Sequence, residues 1–223
     1  MLETQNFWMD IIPALNKGLL MTVGLIVPSG VIGFLLGVVI GVIRVYAPAP
    51  FARPADALVS VIRGVPLLLQ LYFVYYVLPK IGISLPDYWA ACISFILCTA
   101  SYQSEYIRGA LLSIRQGQVR AAQALGLTAF QTITSVVVPQ ALRRALPGCG
   151  NEIIYLIKYT SLAHVVSCME LTGEARSLAD TSFNYFEVYL TAGFYYLVLT
   201  TLATRLLVFL EKKLALPGFG RLP

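Results

Sequence analysis

Long apolar stretches separated by short polar ones set the pattern of this chain. From Leu19 to Ile43 no residue is charged. Further apolar runs cover 60–78, with Arg63 near its start, 88–105, ending at Glu105, 149–168 and 188–210. A helix needs about 20 residues to cross the hydrocarbon of a bilayer, or about 17 where the bilayer is thin. The first and fifth runs meet that length easily, and the third is the shortest. None alternates in and out over about ten residues, as a membrane β-strand would. The pattern predicts an all-α integral membrane protein with five transmembrane helices.

Composition agrees. Of 223 residues 58% are hydrophobic and 12% charged, against roughly 25% charged in a soluble domain. That excludes an ordinary soluble enzyme and a disordered chain, because a single core of this size cannot hide so much apolar surface. The net charge of +5 reflects topology rather than nucleic-acid binding. Arg44, Arg53 and Arg63 separate the first two runs; Arg108, Arg115, Arg120, Arg143 and Arg144 separate the third and fourth; Lys212, Lys213 and Arg221 follow the fifth. The opposite loops hold only Lys17, Lys80 and Arg176. Basic loops stay in the cytoplasm. The N-terminal segment 1–18 is therefore expected outside, and the tail 213–223 inside. The start Met-Leu-Glu-Thr-Gln has no basic region or small-residue cleavage site, so no removable signal peptide is expected. Cys92, Cys98, Cys149 and Cys168 lie in or beside apolar runs without metal-ligand spacing, and are read as inert thiols with no metal site.

Gly33, Gly37 and Gly41 fall four apart on one face of the first helix. Small residues at that spacing let two backbones approach closely in lipid. Their partner is a helix of this chain or of another. No repeat emerges, and five spans do not divide into inverted halves, so a pathway is expected between this chain and a second subunit.

The segment 106–147 is too patterned for a linker. Gln118 to Leu125 is a short helical run; Gly126 suits a left-handed C-terminal cap; Thr128 and Gln131 fit a capping box. A second helix is expected from there to about Val138, with Pro139 as its end or a kink. The first helix is too short to stand alone. Its face of Ala121, Ala122 and Leu125 rests either on the chain's own spans or in the groove of a soluble partner.

Arg120-Ala-Ala-Gln-Ala-Leu-Gly126, nine residues, then Val136-Val-Val-Pro139 resembles the EAA loop of bacterial ABC importer permeases. Ile62-Arg-Gly-Val-Pro66, Glu105-Tyr-Ile-Arg-Gly-Ala110, Gly150-Asn-Glu152 and Lys158-Tyr-Thr-Ser-Leu162 resemble the polar amino acid branch of that family. The resemblance covers about 19–212. Arg120 stands where the motif usually has glutamate, and valines replace its Ile and Leu. The resemblance implies a type I importer permease of the MetI-like fold, in the bacterial inner membrane. It implies two permease subunits, identical or homologous, two ATPase subunits that use ATP and Mg, and an external binding protein that delivers an amino acid. Arg120, Ala121, Ala122, Leu125, Gly126 and Pro139 would form the coupling element that docks on the ATPase. The chain has no phosphate loop, so it is not expected to hydrolyse ATP or to bind a cofactor itself. The competing reading is a membrane scaffold or receptor subunit with no pathway; an intramembrane enzyme ranks last.

Polar groups within the spans are costly and need a partner or a wet cavity. Glu152 is the first substrate candidate, for the ammonium or a basic side chain of an amino acid, or else a structural carboxylate beside Arg143 and Arg144. Thr160 and Ser161 offer hydroxyls to the substrate carboxylate, or bond back to their own helix. Gln70, Ser101 and Glu105 are either further candidates or interhelical bonds. Lys158 lies six residues beyond Glu152 and His164 six beyond Lys158, so the three cannot share one helix face; His164 is read as packed and neutral. Tyr72, Tyr75, Tyr76, Tyr88 and Trp89 read as an outer aromatic belt. Glu170, Glu174, Asp180 and Glu187 meet a binding protein, or are solvated.

Overall fold

The computed structural model describes residues 2–214; Arg221 and the rest of 215–223 lie outside the described residues. Among these the secondary structure is helical throughout. Helix α1 (Leu2–Tyr46) is far longer than the expected first span and runs through Pro13 and Pro28 without ending. The polar residues before Leu19 are accommodated by partners distant in sequence. Asn16 accepts a hydrogen bond from the Tyr195 hydroxyl at 2.9 Å, and Lys17 pairs with Glu174 at 2.8 Å.

Helix α2 (Ala49–Gly64) stops at Val65-Pro66, where proline has no N–H to continue the ladder. Helix α3 (Leu67–Tyr72) follows and runs on through a π turn (Phe73–Val77) and a 3-10 turn (Leu78–Ile81). The two halves meet at 103°, so the second apolar run is a sharply bent pair rather than one straight rod. Gln70 explains how the bend is tolerated. Its amide donates to the carbonyls of Ile62 at 2.8 Å and Val65 at 2.9 Å, groups that the break leaves without helical donors.

Helix α4 (Asp87–Leu112) is the most buried element and packs chiefly on α1. The glycine stripe is the contact. A Cβ built on Gly33 would stand 2.8 Å from Thr99 Cγ2, on Gly37 2.5 Å from Gln103 Cβ, and on Gly41 3.0 Å from Ile107 Cγ2. The four-residue spacing on α1 thus meets the same spacing on α4, and the partner helix belongs to this chain.

Helix α5 (Gln116–Ala124) is followed by α6 (Ala129–Gln131), a π turn (Thr132–Val137) and α7 (Val138–Tyr159). Of the two expectations for Pro139, an end or a kink, the end is not observed. Pro139 lies in the first turn of α7, where a missing N–H costs little; the π turn just before it absorbs the irregularity. Helix α7 tightens into a 3-10 segment (Thr160–Val166), so the fourth apolar run is not one uniform helix. Helices α8 (Leu171–Ser182) and α9 (Tyr185–Leu214) complete the bundle. Glu170 is buried and caps α8, accepting from the Thr172 and Gly173 amides at 2.9 Å each and from the Tyr196 hydroxyl at 2.7 Å.

The core has three parts. Leu25, Leu71, Phe95 and Leu156 fill the middle. Ile107, Leu111, Val137 and Ala145 fill the end that carries Arg44 and Arg108, and Ile11, Leu15, Leu171 and Val188 fill the other. Leu20, Val31, Leu35, Phe194, Leu202 and Phe209 face outward. An apolar outer surface of this kind suits lipid rather than water.

Candidate functional site

The break between α2 and α3 opens a cavity of about 410 Å³. Its wall is the backbone of 64–68, with Arg63, Cys98, Tyr102, Tyr159 and Leu162 around it. Irregular backbone at this depth is tolerated where it lines such a space. The one charged lining side chain is Arg63, whose guanidinium carbon lies 5.2 Å from the centroid of the Tyr102 ring. A guanidinium beside two tyrosines and apolar walls can receive a carboxylate by paired hydrogen bonds.

Below the cavity sits a cluster of ions. Glu105 receives Arg44 at 3.0 Å and Arg63 at 3.2 Å on one carboxylate oxygen, and Arg108 at 2.5 Å on the other. Arg44 also donates to Asp56 at 2.6 Å and to the Ser104 hydroxyl at 3.1 Å. The cluster ties α1, α2 and α4 together. Glu105 is therefore a structural anion shared by three arginines, and the cavity lies on the Arg63 side of it.

The other candidates take separate places. Glu152 is buried (3% exposed), forms no hydrogen bond or ion pair among the described residues, does not line the cavity, and lies within electrostatic reach of two residues that do, Arg63 and Tyr159. Ser101 donates to the Leu97 carbonyl at 2.8 Å, Thr160 to that of Ile157 at 2.7 Å, and Ser161 to that of Lys158 at 2.6 Å. These hydroxyls bond back to their own helices. Lys158 lies over the Tyr155 ring at 4.4 Å, and His164 Nδ1 is 2.6 Å from the Ser161 carbonyl. Of the acids between 170 and 187, Glu170 and Glu174 are buried and partnered, and Asp180 meets Arg176 and Tyr185.

The second feature is α5 and its flanks. Gly126 has φ +85°, the left-handed cap. Thr128 and Gln131 form the capping box in both directions, at 2.9 and 3.3 Å. Ala122 is buried, and Val119 packs against the core below it. Ala121 and Arg120 are exposed, as are Leu125 at 82% and Phe130 at 76%. Both readings of this segment find a side chain to rest on: Ala122 seats α5 on the chain's own bundle, while Leu125 at its C-terminal end and Phe130 in α6 are exposed.

Residues 33–216 match the family model described as the binding-protein-dependent transport system inner membrane component. The chain belongs to this family. Permeases of the family include the octopine transport system permease protein OccM of Rhizobium radiobacter, 38% identical over 211 residues, covering 89% of this chain and 84% of that protein. The arginine transport system permease protein ArtQ of Bacillus subtilis (strain 168) is 35% identical, covering 91% and 93%. A solved amino acid ABC transporter with histidines superposes with a TM-score of 0.85 at 30% identity, covering 92% of this chain and 96% of that one. The all-helical architecture is that of the type I importer permeases.

Sequence reasoning did not single out Arg63, Cys98, Tyr102 or Tyr159 as a site. The signal was present in Ile62-Arg-Gly-Val-Pro66, where a charge sits beside a helix-breaking proline in an apolar run.

Proposed function

We infer that this protein is the membrane-spanning permease subunit of an ATP-binding-cassette importer for an amino acid. The family match over 33–216 carries that reading. A separate ATPase supplies the energy, and an external binding protein supplies the substrate. The complex sits in the bacterial inner membrane, with two ATPase copies and a second permease, identical or homologous, completing the pathway. Five spans follow from the five apolar runs, and an external N-terminus and a cytoplasmic C-terminus from the distribution of basic residues.

The exposed pair Leu125 and Phe130, held in place by the Gly126 cap and the capping box, is the coupling surface, with Arg120, Ala121 and Pro139 around it, while the buried Ala122 seats the helix on the chain's own bundle. Apolar anchors of this size at the end of one short helix and the start of the next suit a groove in a soluble partner. The cavity at the helix break is the transit site. Arg63 receives the substrate carboxylate, and the buried Glu152, within electrostatic reach of Arg63, favours the ammonium or a basic side chain. Gln70 shapes the site by holding the bend, while Ser101, Thr160 and Ser161 support its walls.

The test is co-expression with the ATPase and uptake of labelled amino acids by vesicles containing the purified complex. Leu125→Glu abolishes co-purification with the ATPase without shifting the melting temperature of the permease. Retained co-purification removes the docking role. A complex that hydrolyses ATP but accumulates no amino acid supports the scaffold reading instead.

A further inference from the structure

Arg63 belongs to two structures at once. It lines the cavity at the helix break, and its Nη1 lies 3.2 Å from Glu105. The three arginines on Glu105 are not equivalent. Arg44 is only 6% exposed at its side chain and is fixed by Asp56 and Ser104. Arg108 lies one helical turn along α4 from Glu105 and makes the shortest contact. Arg63 makes the longest contact, is the most exposed at 38%, and is the only one of the three that lines the cavity. If Arg63 lets go, Glu105 keeps two partners. An ion that remains doubly paired loses little, whereas stripping a buried charge of its partners is costly.

We propose that Arg63 is an exchangeable guanidinium, held by Glu105 when the cavity is empty and taken over by the carboxylate of a bound amino acid. Glu105 is then a positioning residue. It competes with the substrate for the same donor, weakens binding, and draws Arg63 back so that the substrate leaves. Because Arg63 is on α2 and Glu105 is on α4, the helix that leads into α5, the exchange also reports occupancy to the coupling end of the chain. The proposal rests on the reading of the cavity as the transit site.

The assembled complex with its ATPase, without binding protein, is titrated at equilibrium with the labelled L-amino acid that a panel of all twenty identifies as transported. Turnover is measured separately in vesicles with binding protein. Glu105→Gln tightens binding and slows turnover, each by about fivefold, the lower end of typical couplings between sites. Glu105→Asp, which draws the carboxylate back from its most distant partner while keeping its charge, shifts both quantities the same way and by less than the glutamine variant does. It serves as the readout if the glutamine variant does not assemble. Damage to structure alone would slow turnover with binding unchanged or weakened, and that result in both variants overturns the exchange. Arg63→Gln weakens binding at least tenfold. If Arg63→Gln binds as the wild type does, the cavity reading fails; if it weakens binding while the Glu105 variants leave affinity unchanged, the cavity reading stands and the exchange is wrong.

Discussion

Arg44 is the residue on which most of the ion cluster depends. Its guanidinium bridges Asp56, Glu105 and Ser104 from a nearly enclosed position. Arg44→Met removes the charge but keeps the length, and leaves Glu105 with partners that are individually more exposed. Breaking a buried pair from one side costs about 3–5 kcal/mol; Asp56 is half exposed, so the expected loss is about 3 kcal/mol, read as a lower unfolding temperature in detergent. Gly126, by contrast, has a single task. Its positive φ costs a β-branched side chain about 1–2 kcal/mol. Gly126→Val misplaces Leu125 and Phe130, so ATP hydrolysis continues while uptake per ATP falls. Wild-type stoichiometry in that variant would refute the coupling role. The capping residues here were legible because each acts within three or four positions of itself. The cavity residues were not, because Arg63, Tyr102 and Tyr159 meet only after α2, α4 and α7 have packed.

At the scale of elements, the stripe on α1 was legible as a packing face, and its partner on α4 was not. Four-residue spacing identifies a face, while Thr99, Gln103 and Ile107 carry no small-residue signature of their own. Gly37→Leu forces α1 and α4 apart. Overpacking of this kind costs about 1–3 kcal/mol and occasionally more, so a clear fall in melting temperature is expected. Gly24→Leu is the control, since a Cβ there meets nothing within 4 Å; equal effects from the two would refute the helix contact. The length of α1 and the bend before α3 escaped sequence reasoning for one reason. Polar residues and prolines usually end apolar helices, but here Asn16, Lys17 and the freed carbonyls of Ile62 and Val65 find partners elsewhere.

For the whole molecule, five apolar runs and the asymmetry of basic loops define the proposed topology. The four cysteines are buried, which leaves a silent background for labelling. Lys80→Cys reacts with a membrane-impermeant thiol reagent in intact cells, and Arg120→Cys reacts only after permeabilisation. The opposite result inverts the orientation.

The π turn over 132–137 has a consequence for tolerance to deletion. Such a turn holds one residue more than a regular helical turn would in the same place. Most single-residue deletions inside a helix rotate everything downstream by about 100° and scramble its faces. Removing Thr134, an exposed residue in the middle of that turn, lets the chain relax into an ordinary helix while α7 keeps its phase against α4. The excess residue is thus a spare link in the chain, and the stretch between α5 and α7 is one where shortening by a residue is tolerated.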